Sequence, residues 1–176
     1  LQFIEILKER TGMQFALPTE AQWEYAARGG NKSQGYLYSG SNDATEIGWV
    51  EENMVSVGQH PGGQKAPNEL GIYDMTGNVN EWCYDFYGPY KEEAQTNPSG
   101  AAVQKDYSLY VVRGGSYLVG AARWGRNTKR QSYPENYGQM DIGMRLVINT
   151  PESQPEPRPE PEPEPDPTPD PTPEPE

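Results

Sequence analysis

The chain has 176 residues and a formal net charge of −12, but nine acids set against Arg158 alone fall after residue 150, leaving only −4 on the body. A mildly acidic body lacks the basic surface that a sequence-independent nucleic-acid binder needs, which excludes nucleic acid as a partner. The single cysteine excludes an internal disulfide, a cysteine-rich zinc site and a CxxC redox pair, and no apolar run is long enough to span a bilayer.

LQFIEILKERTG places Leu1, Ile4 and Leu7 at helical spacing and stops at Gly12, the pattern of an amphipathic helix packed on a domain. Because the chain begins inside that pattern, it reads as a piece of a longer protein. In LPTEAQWEYAARGG, Pro18 fixes the start of a second helix, Thr19 caps it with Gln22 at the capping-box position, and Gly29 or Gly30 ends it. Trp23, Ala26 and Ala27 form its inward stripe.

From Asn31 to about Tyr107 the chain is thick with Gly, Asn, Asp and Pro and punctuated by Trp49, Tyr73, Trp82, Phe86 and Tyr90, so it is predicted to be mostly loop. A loop of this length needs buried aromatics or a bound ion to organise it. Strand signals return in Ser108 to Tyr117 and in Gly143 to Asn149, rich in β-branched and aromatic residues. The expectation is therefore one α+β domain over residues 1–150 with little regular structure. Residues 151–176 alternate proline with acid and are predicted to be a disordered, extended polyproline spacer with a reach of up to ~80 Å.

Three segments carry candidate chemistry. Cys83, in EWCYDFY, has no neighbouring cation to lower its pKa and reads as a small buried hydrophobe. The turn TGNVNE, Thr76 to Glu81, gathers carbonyl oxygens and a carboxylate that suit a hard cation such as calcium. The alternative is that Asn78 caps the turn while Glu81 pairs with an arginine. Arg123, Arg126, Lys129 and Arg130, with Trp124 and Asn127 among them, form either a solvated basic face or a subsite for an anion or peptide. The mix of Tyr117, Trp124, Asn127, Ser132, Tyr133, Asn136 and Tyr137 matches the composition of adaptable binding loops, and of ordinary loops as well. The candidate ligand-binding set is Tyr117, Arg123, Trp124, Arg126, Asn127, Arg130 and Tyr133.

Four stretches, LPTEAQWEYAARGG, PNELGIYDMTGNVNEW, VVRGGSY and GMR, appear in this order between Leu17 and Arg145. Together they resemble the motif series of the formylglycine-generating enzyme family, the sulfatase-modifying factors. The resemblance implies a C-type-lectin-like fold and an oxidase that converts a substrate cysteine to formylglycine through two cysteines shortly after Gly-Gly-Ser, which take copper. No cysteine follows Cys83 in this chain, and His60 alone cannot hold the iron that some relatives use, so neither copper nor iron is expected. The resemblance also implies calcium as a cofactor, with Thr76 or Asn78, Gly77, Val79 and Glu81 as ligands, and it places Ser116 and Trp82 at the family's reaction pocket. Without the thiols, Ser116 is expected to satisfy backbone groups of its own turn and Trp82 to be core.

Three readings follow. In the first, the domain is a catalytically silent relative acting as a calcium-supported module that binds a protein, peptide or glycan, displayed by the Pro/Glu spacer in an exported or cell-envelope setting. The second is a protein-modifying enzyme with altered chemistry, for which no nucleophile and base can be named. The third is a variable binding protein of the diversity-generating-retroelement type, which shares the fold.

Overall fold

The computed structural model describes residues 2–54, 58–102 and 108–149; Leu1 of the first predicted helix and the predicted spacer lie outside them. Helix α1 (Gln2–Thr11) ends at Gly12, whose φ of 72° is the left-handed conformation that stops a helix. Only Ile4 of α1 is buried, while Phe3 and Ile6 are exposed. Strand β1 (Phe15–Ala16) pairs antiparallel with β6 (Val147–Ile148), tying the two ends of the domain together.

Helix α2 (Glu20–Ala27) carries the predicted capping box: the Thr19 hydroxyl accepts from the Gln22 N–H at 3.1 Å, and the Gln22 carbonyl oxygen accepts from the Thr19 N–H at 2.9 Å. Trp23 and Ala27 are buried as expected from the stripe, with Ala26 packed beside them. Two short helices follow elsewhere, α3 (Ala44–Ile47) and α4 (Ala121–Trp124).

The main sheet has the order β4-β3-β2-β5, built from β2 (Asn80–Phe86), β3 (Leu109–Arg113), β4 (Gln131–Pro134) and β5 (Ile142–Gly143). β2 and β3 are antiparallel with a break in register between Trp82 and Phe86, and β5 runs parallel to β2. β3 and β6 fall inside the predicted strands and β5 shares only Gly143 with one, whereas β2 corrects the expectation of loop through Tyr107. Both of its faces are used, so Asn80, Glu81, Cys83, Asp85 and Phe86 are all buried and no apolar alternation marks it. The core lies between α2 and this sheet, in a cluster of Trp23, Ala27, Met75, Cys83 and Val111. A second cluster, Tyr38, Ala44, Ile47, Val50 and Ala121, anchors α3 and α4.

Candidate functional site

Alternate residues of β2 serve α2. The Trp23 indole donates to Glu81 Oε2 at 2.7 Å, Cys83 packs in the Trp23 cluster, and Asp85 Oδ2 accepts from the Glu20 N–H at 2.7 Å, the first turn of α2. Burial pushes the Cys83 thiol well above its ordinary range, and the charges of Asp85, Glu20 and Glu81 add to that against the opposing effect of Arg113. A protonated, fully buried thiol is neither a nucleophile nor a metal ligand. On the opposite face Trp82 meets Tyr110 and Tyr133 edge-on, at 6.4 and 6.5 Å between ring centroids, and Tyr137 stacks on Tyr133 at 4.4 Å.

Beneath this lies an ion network that sequence spacing did not reveal. Arg113 is wholly buried and donates to Glu20, to Glu24 at 2.6 Å and to the Asn127 carbonyl. Arg130 closes the other side of Glu20 with two hydrogen bonds, Nε to Oε1 at 2.6 Å and Nη2 to Oε2 at 2.7 Å, and lies over the Tyr90 ring at 4.0 Å. Glu20 is thus the common acceptor of two guanidiniums and the Tyr90 hydroxyl. A carboxylate so buried persists because each charge has a partner.

The predicted ligand-binding set is divided by this arrangement. Arg130 is committed to Glu20 and is not an open surface cation. Asn127 is buried, donating its side-chain amide to the Tyr36 carbonyl and its backbone N–H to the Leu37 carbonyl, and so joins loops instead of facing solvent. Tyr117 is wholly buried, and its hydroxyl has no hydrogen-bond partner among the described residues. Tyr133 belongs to the aromatic row on the sheet. Arg123 and Arg126 stay exposed and Trp124 half-exposed, with the Arg123 guanidinium 5.2 Å from the Trp124 ring. Their position is set by α4, whose first free N–H, at Ala121, donates to the Glu52 carboxylate at 3.0 Å.

In the turn, half of the alternative left open by the sequence is observed: Glu81 pairs with an arginine, whereas Asn78 ties the turn to the loop of His60. Asn78, at φ 59°, accepts from the His60 N–H at 2.9 Å and donates to the His60 carbonyl at 3.0 Å. Gly77 has φ 73°, and a Cβ there would lie 2.2 Å from the Trp49 carbonyl oxygen, so both backbone and space require glycine. Thr76 is buried, its hydroxyl accepting from the Ser39 N–H and donating to the Gly125 carbonyl. Val79 packs against Gly143. Glu81 receives Arg145 on both oxygens, at 2.7 and 2.8 Å, and the same guanidinium reaches the carbonyls of Tyr73 and Asp74. Four oxygens therefore surround one guanidinium, and Glu81 as placed does not fit as a calcium ligand. Asp74 was missed: at φ 58° it accepts from the Gly63 N–H through Oδ2, while Oδ1 is buried with no partner among the described residues. An acid two residues before Thr76 was the available signal.

Ser116, expected to serve its own turn, accepts from the Leu118 N–H at 3.4 Å but also donates to the Asp141 carboxylate at 2.8 Å. Asn80 donates to the same carboxylate and accepts from Gln131 at 2.6 Å. Trp82 is only half-buried, in the aromatic row instead of the core. A hydrogen-bonded network of hydroxyl, amide and carboxylate groups thus occupies the region around Ser116; Asp141 sits in an irregular loop with no motif to mark it.

Comparison with known proteins agrees with this architecture. The chain is 44% identical over 147 residues to a protein of Paenibacillus barcinonensis named chaperone protein LppX, covering 73% of this chain and 46% of that protein. It is 36% identical over 119 residues to the formylglycine-generating enzyme of Streptomyces coelicolor, covering 58% of this chain and 36% of the enzyme. Among solved structures, Treponema denticola variable protein 1 superposes with a TM-score of 0.65 and 32% identity, over 76% of this chain and 47% of that one. The chain spans less than half the length of these relatives. Residues 5–150 match the family described as the sulfatase-modifying factor enzyme 1-like domain, and with that match, the motif order and the fold, the chain belongs to the formylglycine-generating enzyme family.

Proposed function

We propose that this domain works by binding instead of oxidation, gripping an extended anionic ligand at Arg123, Trp124 and Arg126. One contrast carries the reading. Arg113, Arg130 and Arg145 each have a carboxylate partner, whereas Arg123 and Arg126 are exposed with no ion pair among the described residues. Guanidiniums bind carboxylates bidentately, and an adjacent indole adds a stacking surface. The absence of a thiol after Cys83 supports the same reading, because the cysteine pair of the family's copper site and thiolate redox chemistry both need one. Names given to two relatives, a chaperone protein and a variable protein, are in keeping with a module that recognises other molecules.

The test is an array of immobilised peptides of varied charge probed with the full chain. Binding is expected to favour Asp- and Glu-rich peptides and to be lost in Arg126→Glu; indifference to peptide charge contradicts the reading.

We propose further that the turn takes calcium through the unpartnered Asp74 carboxylate oxygen and nearby main-chain oxygens, with Glu81 left to Arg145. A hard cation suits a buried carboxylate oxygen that has no donor. Calcium chloride in place of a chelator is expected to raise the melting temperature of the chain and to leave Asp74→Ala unchanged. Equal melting temperatures of the parent chain in the two conditions contradict the proposal.

A further inference from the structure

Three cations, Arg123, Arg126 and Lys129, are exposed along one stretch of chain and take part in no ion pair among the described residues, although the domain otherwise neutralises its buried guanidiniums. Between them stand the half-exposed Trp124, already in contact with Arg123, and the backbone turn closed by Lys129 N–H to the Arg126 carbonyl at 2.9 Å. At the other end of α4, Glu52 is engaged with the Ala121 N–H. The same chain carries a segment complementary to this surface. Residues 151–176 hold nine acids against one arginine, and from Glu160 to Asp170 nearly every second residue is Pro and most of the rest are acids.

Proline at alternate positions fixes its own φ and keeps the preceding residue out of the helical region, so this sequence favours the extended polyproline conformation. In that conformation carboxylates two residues apart are separated by about 6 Å along the axis and fan out around it, so that every side of the segment offers charge and proline rings together. Such a segment suits a surface that mixes cations with an indole, the combination by which proline-rich peptides are held on aromatic grooves. Reach is not limiting. A domain of this size has a radius of gyration of about 15 Å, against a span of up to ~80 Å for the extended tail. Tethering also raises the local concentration of a flexible partner to the millimolar range, enough to make a weak charge-driven contact populated.

We infer that the Pro/Glu tail of this chain docks on the Arg123, Trp124, Arg126 and Lys129 surface and competes there with external ligands. The competition rests on the binding reading given above; the docking itself does not. The contact joins exposed charges, so it weakens as salt shortens the screening length from about 10 Å at 0.1 M to about 3 Å at 1 M.

The experiment uses the full chain with Thr168→Cys carrying a nitroxide; Cys83 is buried and its thiol protonated, so the label goes to the tail. In low salt the Trp124 indole N–H signal is expected to broaden, with the wholly packed Trp23 as reference. Broadening should disappear in 1 M salt, in Arg126→Glu with Lys129→Glu, and in a chain whose Glu160, Glu162, Glu164 and Asp166 are changed to amides. The last variant leaves the folded residues untouched and separates lost contact from lost structure. Absence of broadening in low salt, or broadening indifferent to salt and to both sets of changes, overturns the inference. So does broadening that appears only between labelled and unlabelled copies in a mixture, which would make the occupant a second chain. Peptide-array binding by the amide-tail chain reads the ligand site independently, so failure of the docking and failure of the binding reading are distinguishable.

Discussion

The Glu20 carboxylate, only 5% exposed, accepts from Arg113, Arg130 and Tyr90, so three groups depend on one acid. Replacing it by Gln preserves shape but leaves the buried Arg113 with Glu24 alone and the partly buried Arg130 with no carboxylate, a loss of about 3–5 kcal/mol by the usual cost of breaking a buried pair. Urea denaturation of Glu20→Gln measures it, and a loss under about 1 kcal/mol, the worth of an exposed pair, would show that the network is solvated. Gly77 gives a second residue-level expectation. Any side chain there combines a left-handed φ, costing about 1–3 kcal/mol, with a clash against the Trp49 carbonyl, so Gly77→Ala should lower the melting temperature by several degrees. Cys83 should resist alkylation at mildly alkaline pH in the folded chain and react once the chain is unfolded, as burial holds its thiol protonated.

At the scale of elements, α2 was legible because its signals are local: Thr19 and Gln22 form the capping box and Gly29 ends the helix at φ 86°. Thr19→Ala should cost about 1 kcal/mol in the same denaturation experiment, the typical worth of a cap. β2 was not legible, and the reason is physical. Its inward side chains are Glu81, Cys83 and Asp85, polar groups buried because α2 and Arg145 supply partners from distant parts of the chain. A strand whose buried face is charged looks like loop to any reading based on alternation. The candidate site divided along the same line. Arg123, in the short helix α4, and Arg126, just after it, are exposed as a locally polar stretch suggests. The capture of Arg130 by Glu20, 110 residues away in sequence, depended on tertiary contacts.

For the whole molecule, the chemistry follows from where charge and sulfur are placed. The interior holds paired arginines and carboxylates, the region around Ser116 is a hydroxyl, amide and carboxylate network, and the sole thiol is sealed between α2 and β2. None of the described helices is long and apolar enough to cross a membrane. The family match over residues 5–150 establishes the fold, and no cysteine follows Cys83 in the chain. We therefore read this domain as one that binds and does not oxidise. Incubating the full chain with a cysteine-containing sulfatase peptide, oxygen and copper, and following the peptide by mass spectrometry, tests it most directly. An unchanged peptide mass is expected; the mass loss that marks conversion of cysteine to an aldehyde would overturn the reading.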